Sequence, residues 1–192
     1  ASRYAIIELS MVITYHGAAF CKASQGDTTI ALSLVGKEGS LVFTGREPFV
    51  ISGAGEYEVK DIVIRGFASV GVEGSINTIY TIVWDDITLC HVGALSDATL
   101  SPTVLEDIGD VDVLLIPVGY EGAPTPRDLA RLTKHIEPKI IIPLLGSGKS
   151  AEAERAAFLK EVGAHPTPID RFTFKKRELE DKNGAVIILE SV

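Results

Sequence analysis

With 192 residues, 46% hydrophobic and 23% charged, the chain has the size and polarity of one globular domain with a substantial core, and too little length for two. A formal net charge of −8 opposes a general nucleic-acid-binding role, which needs clustered Lys and Arg. No stretch approaches the ~18 consecutive apolar residues of a membrane span.

The single methionine, Met11, immediately precedes the first strand-like run. Residues 1–10 therefore read either as an added leader or as a native extension, with one domain over 11–192. The apolar stretch at 4–7 lacks the basic flank and long apolar run of a signal peptide. Short β-branched runs bounded by Gly, Asp and Asn predict strands at 12–15, 28–34, 40–44, 49–52, 57–59, 62–66, 78–84 and 88–91. Trp84-Asp85-Asp86-Ile87 reads as a two-residue hairpin joining the last two. Cys21 and Cys90 sit in apolar, strand-like surroundings, which points to buried thiols rather than a disulfide and to the cytoplasm.

After residue 100 the pattern turns to alternating helix and strand. Ser101 followed by Pro102 opens a short helix that Gly109 ends, and Thr125 with Pro126 opens a second. In that second helix Leu129, Leu132 and Ile136 form an apolar stripe, and Pro138 stops it. The runs at 112–117 and 139–143 are nearly pure Val, Ile and Leu, as expected of strands buried on both faces. A third helix is expected over 151–162, with Ser150 as its cap and Gly163 past its end. Strands near 172–175 and 185–190 close the chain. The order suits a two-sheet sandwich with helices on both outer faces, beside other layered α/β folds.

Five segments carry more than periodicity. They are Val12-Ile13-Thr14-Tyr15-His16-Gly17, the turn Gly53-Ala54-Gly55-Glu56-Tyr57-Glu58, and the runs 86–94, 109–119 and 136–146. Together they resemble the metallo-β-lactamase superfamily, in its branch of small UlaG-like metal-dependent hydrolases. The resemblance implies a four-layer αββα sandwich. It also implies a centre where His and Asp side chains hold one or two metal ions that generate a hydroxide nucleophile.

At the matching positions those ligands are replaced. The family's His-x-His-x-Asp-His loop corresponds to 35–48, which holds neither His nor Asp and is shorter. Two readings of that shortness stand open: a true deletion, and a stretch left out of the sequence. Phe67-Ala68-Ser69-Val70-Gly71 stands where relatives place a further His, and Gly93-Ala94 stands where they carry Gly-Asp. Pro143-Leu144-Leu145 replaces Pro-x-His, Ser33-Leu34 replaces Asp-Pro, and Gly17-Ala18-Ala19 replaces Gly-His-Ser. The expected vestigial pocket therefore comprises Ser69, Ala94 and Leu145, with His91 and His16 beside them, and no catalytic residue, metal or other cofactor is assigned.

Of the four histidines, His91 reads as structural, and His16 as a surface or packing residue that could point into the old pocket. His135 lies near a helix C-terminus, which favours positive charge, and His165 lies in a loop before Pro166. Cys90 and His91 are neighbours on a strand and so face opposite sides, which opposes a Cys–His pair. Gly146, Gly148, Lys149 and Ser150 lie between a buried strand and a helix, where backbone N–H groups can hold an anion. A full phosphate-binding loop needs a further glycine where Pro143 stands.

The sequence thus supports a non-catalytic binding, scaffold or regulatory protein with an unknown protein partner or self-association, including a homo-oligomer. A metal-dependent phosphodiesterase- or lactonase-like hydrolase with a relocated site is the alternative. An anion or phosphometabolite module at 146–150 is a further one.

Overall fold

The computed structural model describes residues 8–34 and 40–192. Among these residues thirteen strands form two sheets. The first comprises β1 (Met11–Tyr15), β2 (Cys21–Gln25), β3 (Thr28–Ser33), β4 (Ser40–Phe43), β5 (Phe49–Ile51) and β12 (Arg171–Phe174), in the order β12-β1-β2-β3-β4-β5. The second comprises β6 (Gly55–Val59), β7 (Ile62–Val70), β8 (Ile76–Trp84), β9 (Ile87–His91), β10 (Val113–Val118), β11 (Ile140–Leu145) and β13 (Ala185–Val186). Its order is β13-β11-β10-β9-β8-β7-β6; β6 to β9 are antiparallel, and β9, β10, β11 and β13 run parallel.

Strict alternation builds the space between the sheets. Met11, Ile13 and Tyr15 of β1 and Cys21 and Ala23 of β2 face inward onto Ile64, Tyr80, Leu89, Leu115 and Ile142 of the other sheet. β2 was not foreseen from the sequence, because its inward residues are only Cys21, Ala23 and Gln25, a faint apolar signal. The runs of β10 and β11 are buried on both faces as expected: Val113 and Leu115 face the other sheet, while Leu114 and Ile116 face the helices. Pro117 and Pro143 sit within these strands. Pro117 lies beyond the reach of β9, which pairs only with Val113 to Leu115, and Pro143 beyond β13, so neither deprives that neighbour of a donor.

Among the described residues three α-helices, α1 (Pro102–Ile108), α2 (Pro126–Ile136) and α3 (Ala151–Val162), cover the seven-stranded sheet. Ser101 and Thr125 cap α1 and α2 through bonds from Val104 N–H and Asp128 N–H, both 3.2 Å, and Gly109 and Gly163 follow α1 and α3. Ser150 makes no such cap: its hydroxyl donates to Glu154 instead, at 2.6 Å. Ile108, Leu129, Leu132, Ile136 and Phe158 form a second core with Cys90, Leu114, Ile116 and Ile141.

The sandwich is the expected one, with its helices on one side. The outward face of the six-stranded sheet, including Val12, Thr14, Lys22 and Ser24, carries no helix among the described residues. α1 and α2 bridge parallel strands of one sheet, and crossovers of one hand lie on one face. The antiparallel first sheet is joined by short turns such as 26–27 and 44–48. No described helix is long and apolar enough to cross a membrane.

Candidate functional site

The end of β9, the end of β7, the start of β8 and the ends of β1 and β11 meet at one rim of the sandwich. Asn77, 3% exposed, lies at the start of β8, directly opposite Ser69. Its Oδ1 accepts from Ala94 N–H at 2.8 Å. Its Nδ2 donates to Ser69 Oγ at 2.8 Å and to Val92 O at 2.9 Å. One amide thus closes the gap between the expected pocket positions Ser69 and Ala94. Gly93 (φ +69°) packs so tightly that an added Cβ would stand 2.1 Å from Asn77 Oδ1, so only glycine fits there.

His91 projects on the same side of β9 as Leu89, into the space between the sheets, whereas Cys90 joins the helix-side core. Its Nδ1 accepts from Gly93 N–H at 3.2 Å, which places the ring proton on Nε2. That Nε2 is buried with no hydrogen-bond partner among the described residues. Burial pushes the imidazole pKa down to about 4, so His91 is neutral near pH 7. Cys21 and Cys90 are both buried free thiols whose pKa burial pushes up to about 12.

Leu145 contributes its backbone rather than a ligand. Its carbonyl accepts from Tyr15 Oη at 2.6 Å and from Ala19 N–H at 2.7 Å, tying the two sheets together. The turn that makes this possible places Gly17, Ala18 and Ala19 at positive φ in succession, and Ala19 is fully buried. His16 does not join His91. Its Nε2 lies 3.0 Å from Thr14 Oγ1, and its ring sits 5.5 Å from that of Phe20, on the outward side of β1. Burial, and then the neighbouring Lys22, lower its pKa.

At 146–150 the glycines serve loop packing. Gly146 N–H donates to Val118 O, Gly148 N–H to Gly119 O and Ala151 N–H to Gly148 O. A Cβ at Gly148 would come within 2.5 Å of Gly119 O. A recess of about 500 Å³ adjoins them, and its lining includes Lys149 together with the acidic residues Glu121 and Glu154. The Ser150 hydroxyl is committed to Glu154, and Arg155 pairs with Glu152 at 2.7 Å. The start of α3 is therefore supplied with negative charge by its own first turn.

Among the described residues, the donor set at this rim does not suit a metal ion. Among the described residues no three His, Cys, Asp or Glu side chains could hold one. The groups at the rim are an amide, a hydroxyl and backbone carbonyls engaged with one another, and the lone imidazole of His91. The 35–39 part of the expected His-x-His-x-Asp-His stretch lies outside the described residues. Sequence reasoning missed Asn77; its signal is a polar residue inside an otherwise apolar and β-branched strand.

A β-lactamase superfamily domain model matches residues 13–145. A UPF0173 protein of Pyrococcus furiosus is 32% identical over 107 residues, covering 56% of this chain and 49% of that protein, so the chain spans about half the length of this curated relative. A proposed Zn-dependent hydrolase of the metallo-β-lactamase superfamily from Thermotoga maritima superposes with a TM-score of 0.72 at 20% identity, over 95% of this chain and 100% of the other. A metallo hydrolase, Igni18, of Ignicoccus hospitalis gives 0.61 at 13% identity, over 95% of each. At these identities the solved structures speak to the fold alone.

Proposed function

The chain belongs to the β-lactamase superfamily, and from that premise we propose that it is a member whose catalytic pocket has become structural and whose role is binding, as a scaffold or regulatory partner. The observation that carries this reading is the Asn77 clasp. It spans the positions where the resemblance expects ligands, fills the space beside Gly93, and satisfies Ser69, Val92 and Ala94 with neutral hydrogen bonds. A buried amide with its bonds made has no reason to yield to a cation that must shed its water. The hydrolase names of the structural neighbours describe those proteins; a hydrolase reading of this chain needs ligands other than those at Ser69, Ala94 and Leu145.

Elemental analysis tests it. Protein purified without chelator, and again after excess zinc and manganese followed by desalting, is expected to retain less than about a tenth of an equivalent of metal, with no change of melting temperature on adding EDTA. Near-stoichiometric retention would return the chain to the metal-dependent hydrolases and send the search to new ligands. The partner half of the reading predicts association that depends on protein concentration or on a second protein, read by sedimentation.

A further inference from the structure

Thr14 of β1 stands on the helix-free face of the six-stranded sheet with a cation on either side. Lys22 of β2 and Arg171 of β12 are its direct cross-strand partners. Residues opposite one another on one face hold their Cβ atoms about 5 Å apart, so both long side chains reach the space over the Thr14 hydroxyl. Neither cation has an ion-pair partner among the described residues. The outward positions next to them on β1, β2, β3 and β12 are Val12, Ser24, Ala31 and Thr173, and none is acidic. A chain of net charge −8 thus holds two cations together here with no carboxylate between them. Their repulsion is left for an anion from outside to relieve.

Two rings adjoin this pair. Phe20 is half-buried and belongs to neither core, and Lys22 Nζ lies 5.8 Å from its ring centroid. The His16 ring lies 5.5 Å from that of Phe20, tilted by 50°. His16 Nε2 also meets Thr14 Oγ1 at 3.0 Å. When the imidazole donates in that contact, the hydroxyl keeps its own proton for a further acceptor. The face therefore offers an ammonium, a guanidinium and a hydroxyl, beside an aromatic surface that no other part of the described chain covers. A carboxylate, with one negative charge, would answer only one of the two cations. A phosphate monoester carries close to two negative charges at neutral pH and three acceptor oxygens, one for each donor. Its organic part would leave across Phe20 and His16, where a flat ring can pack.

We propose that this face binds a small, ring-bearing phosphate monoester of the nucleoside monophosphate kind. The phosphoryl group sits between Lys22 and Arg171 on the Thr14 hydroxyl, and the ring lies against Phe20. The site is on the outward side of β1, away from His91, and stands whether or not the rim holds a metal.

Titration of the isotopically labelled intact chain, followed through its backbone amide resonances at low ionic strength, tests it. The probes are adenosine monophosphate, glycerol phosphate, adenosine and sulfate. Lys22→Gln/Arg171→Gln removes the charge, and Phe20→Leu removes the ring. Lys134→Gln/Lys160→Gln, at exposed positions of α2 and α3, removes the same charge elsewhere. The expected result is saturable one-to-one binding of adenosine monophosphate, with shifts centred on Thr14, His16, Phe20, Lys22 and Arg171. The first variant should weaken it about ten-fold or more, and the control should leave it unchanged. Phe20→Leu should bring its affinity down to that of glycerol phosphate. No saturation, shifts centred on 146–150, or equal weakening in the control would overturn the proposal. So would glycerol phosphate, adenosine or sulfate binding as tightly as adenosine monophosphate. Should Phe20→Leu fail to fold, the charge variant and the comparison of the four probes decide.

Discussion

Asn77 and His91 solve the same problem in opposite ways: each is a polar side chain buried at a strand end, one fully bonded and one not. Asn77→Ala leaves Ala94 N–H and Val92 O buried without partners, so it should cost about 3 kcal/mol, read as a lower urea midpoint with unchanged slope. His91 makes stability depend on pH. Its folded pKa, about 4, lies below the ordinary 6.5, so the unfolded chain takes up the proton first. The stability this imidazole lends is therefore full above about pH 6.5 and drains away as pH falls toward 4, by about 3 kcal/mol in all. His91→Leu should flatten that part of the curve, and equal pH slopes in the two proteins between pH 6.5 and 4 would show that His91 titrates normally. Cys21 and Cys90, buried with thiol pKa values near 12, should react with a thiol reagent only as the chain unfolds. The sequence named the thiols as buried from their apolar surroundings, and His91 as structural from its place beside Gly93-Ala94, which stands where the resemblance expects Gly-Asp. It could not name Asn77, whose partners come from the end of β7 and from the segment after β9.

Asp112 joins elements as Asn77 joins residues. It is 4% exposed and accepts from Thr88 N–H at 2.8 Å, from Lys139 at 2.8 Å and from Lys176 at 2.6 Å. These contacts tie the start of β9, the start of β11 and the turn at Lys176–Leu179 to the foot of β10. Burial opposes its ionisation, but the two lysines and the Thr88 amide outweigh burial and hold the carboxyl below its ordinary value. The stability it lends is present above the ordinary carboxylate range and lost as pH falls through its lowered pKa, so its loss begins where that of His91 is nearly complete. Asp112→Asn leaves two lysines beside a half-satisfied amide and should cost about 3 kcal/mol at neutral pH, seen in the same urea titration. Thr125→Ala, which removes the α2 cap, should cost only about 1 kcal/mol. The helix starts at Ser101 and Thr125 were legible because the capping residue and the following proline are local; Ser150 reads the same way, yet Glu154, one turn on, captures its hydroxyl.

Over the whole molecule, protection should grade with burial. β10, flanked on both sides and covered on both faces, is expected to hold the slowest-exchanging amides, and β5, a three-residue edge strand with Phe49 and Val50 exposed, the fastest, as read by hydrogen exchange. By itself the sequence determined the buried parallel strands and the three helices, because alternation, apolar runs and turn residues act over a few neighbours, and the resemblance of its motifs to the superfamily selected the two-sheet frame. Only the tertiary structure decided that the described helices all cover one sheet and that Leu145 serves through its carbonyl. It also decided that His16 and His91 face apart, and that one asparagine fills the gap between Ser69 and Ala94. Each of these depends on which atoms meet across the sheets, and such meetings leave no mark at any fixed spacing along the chain.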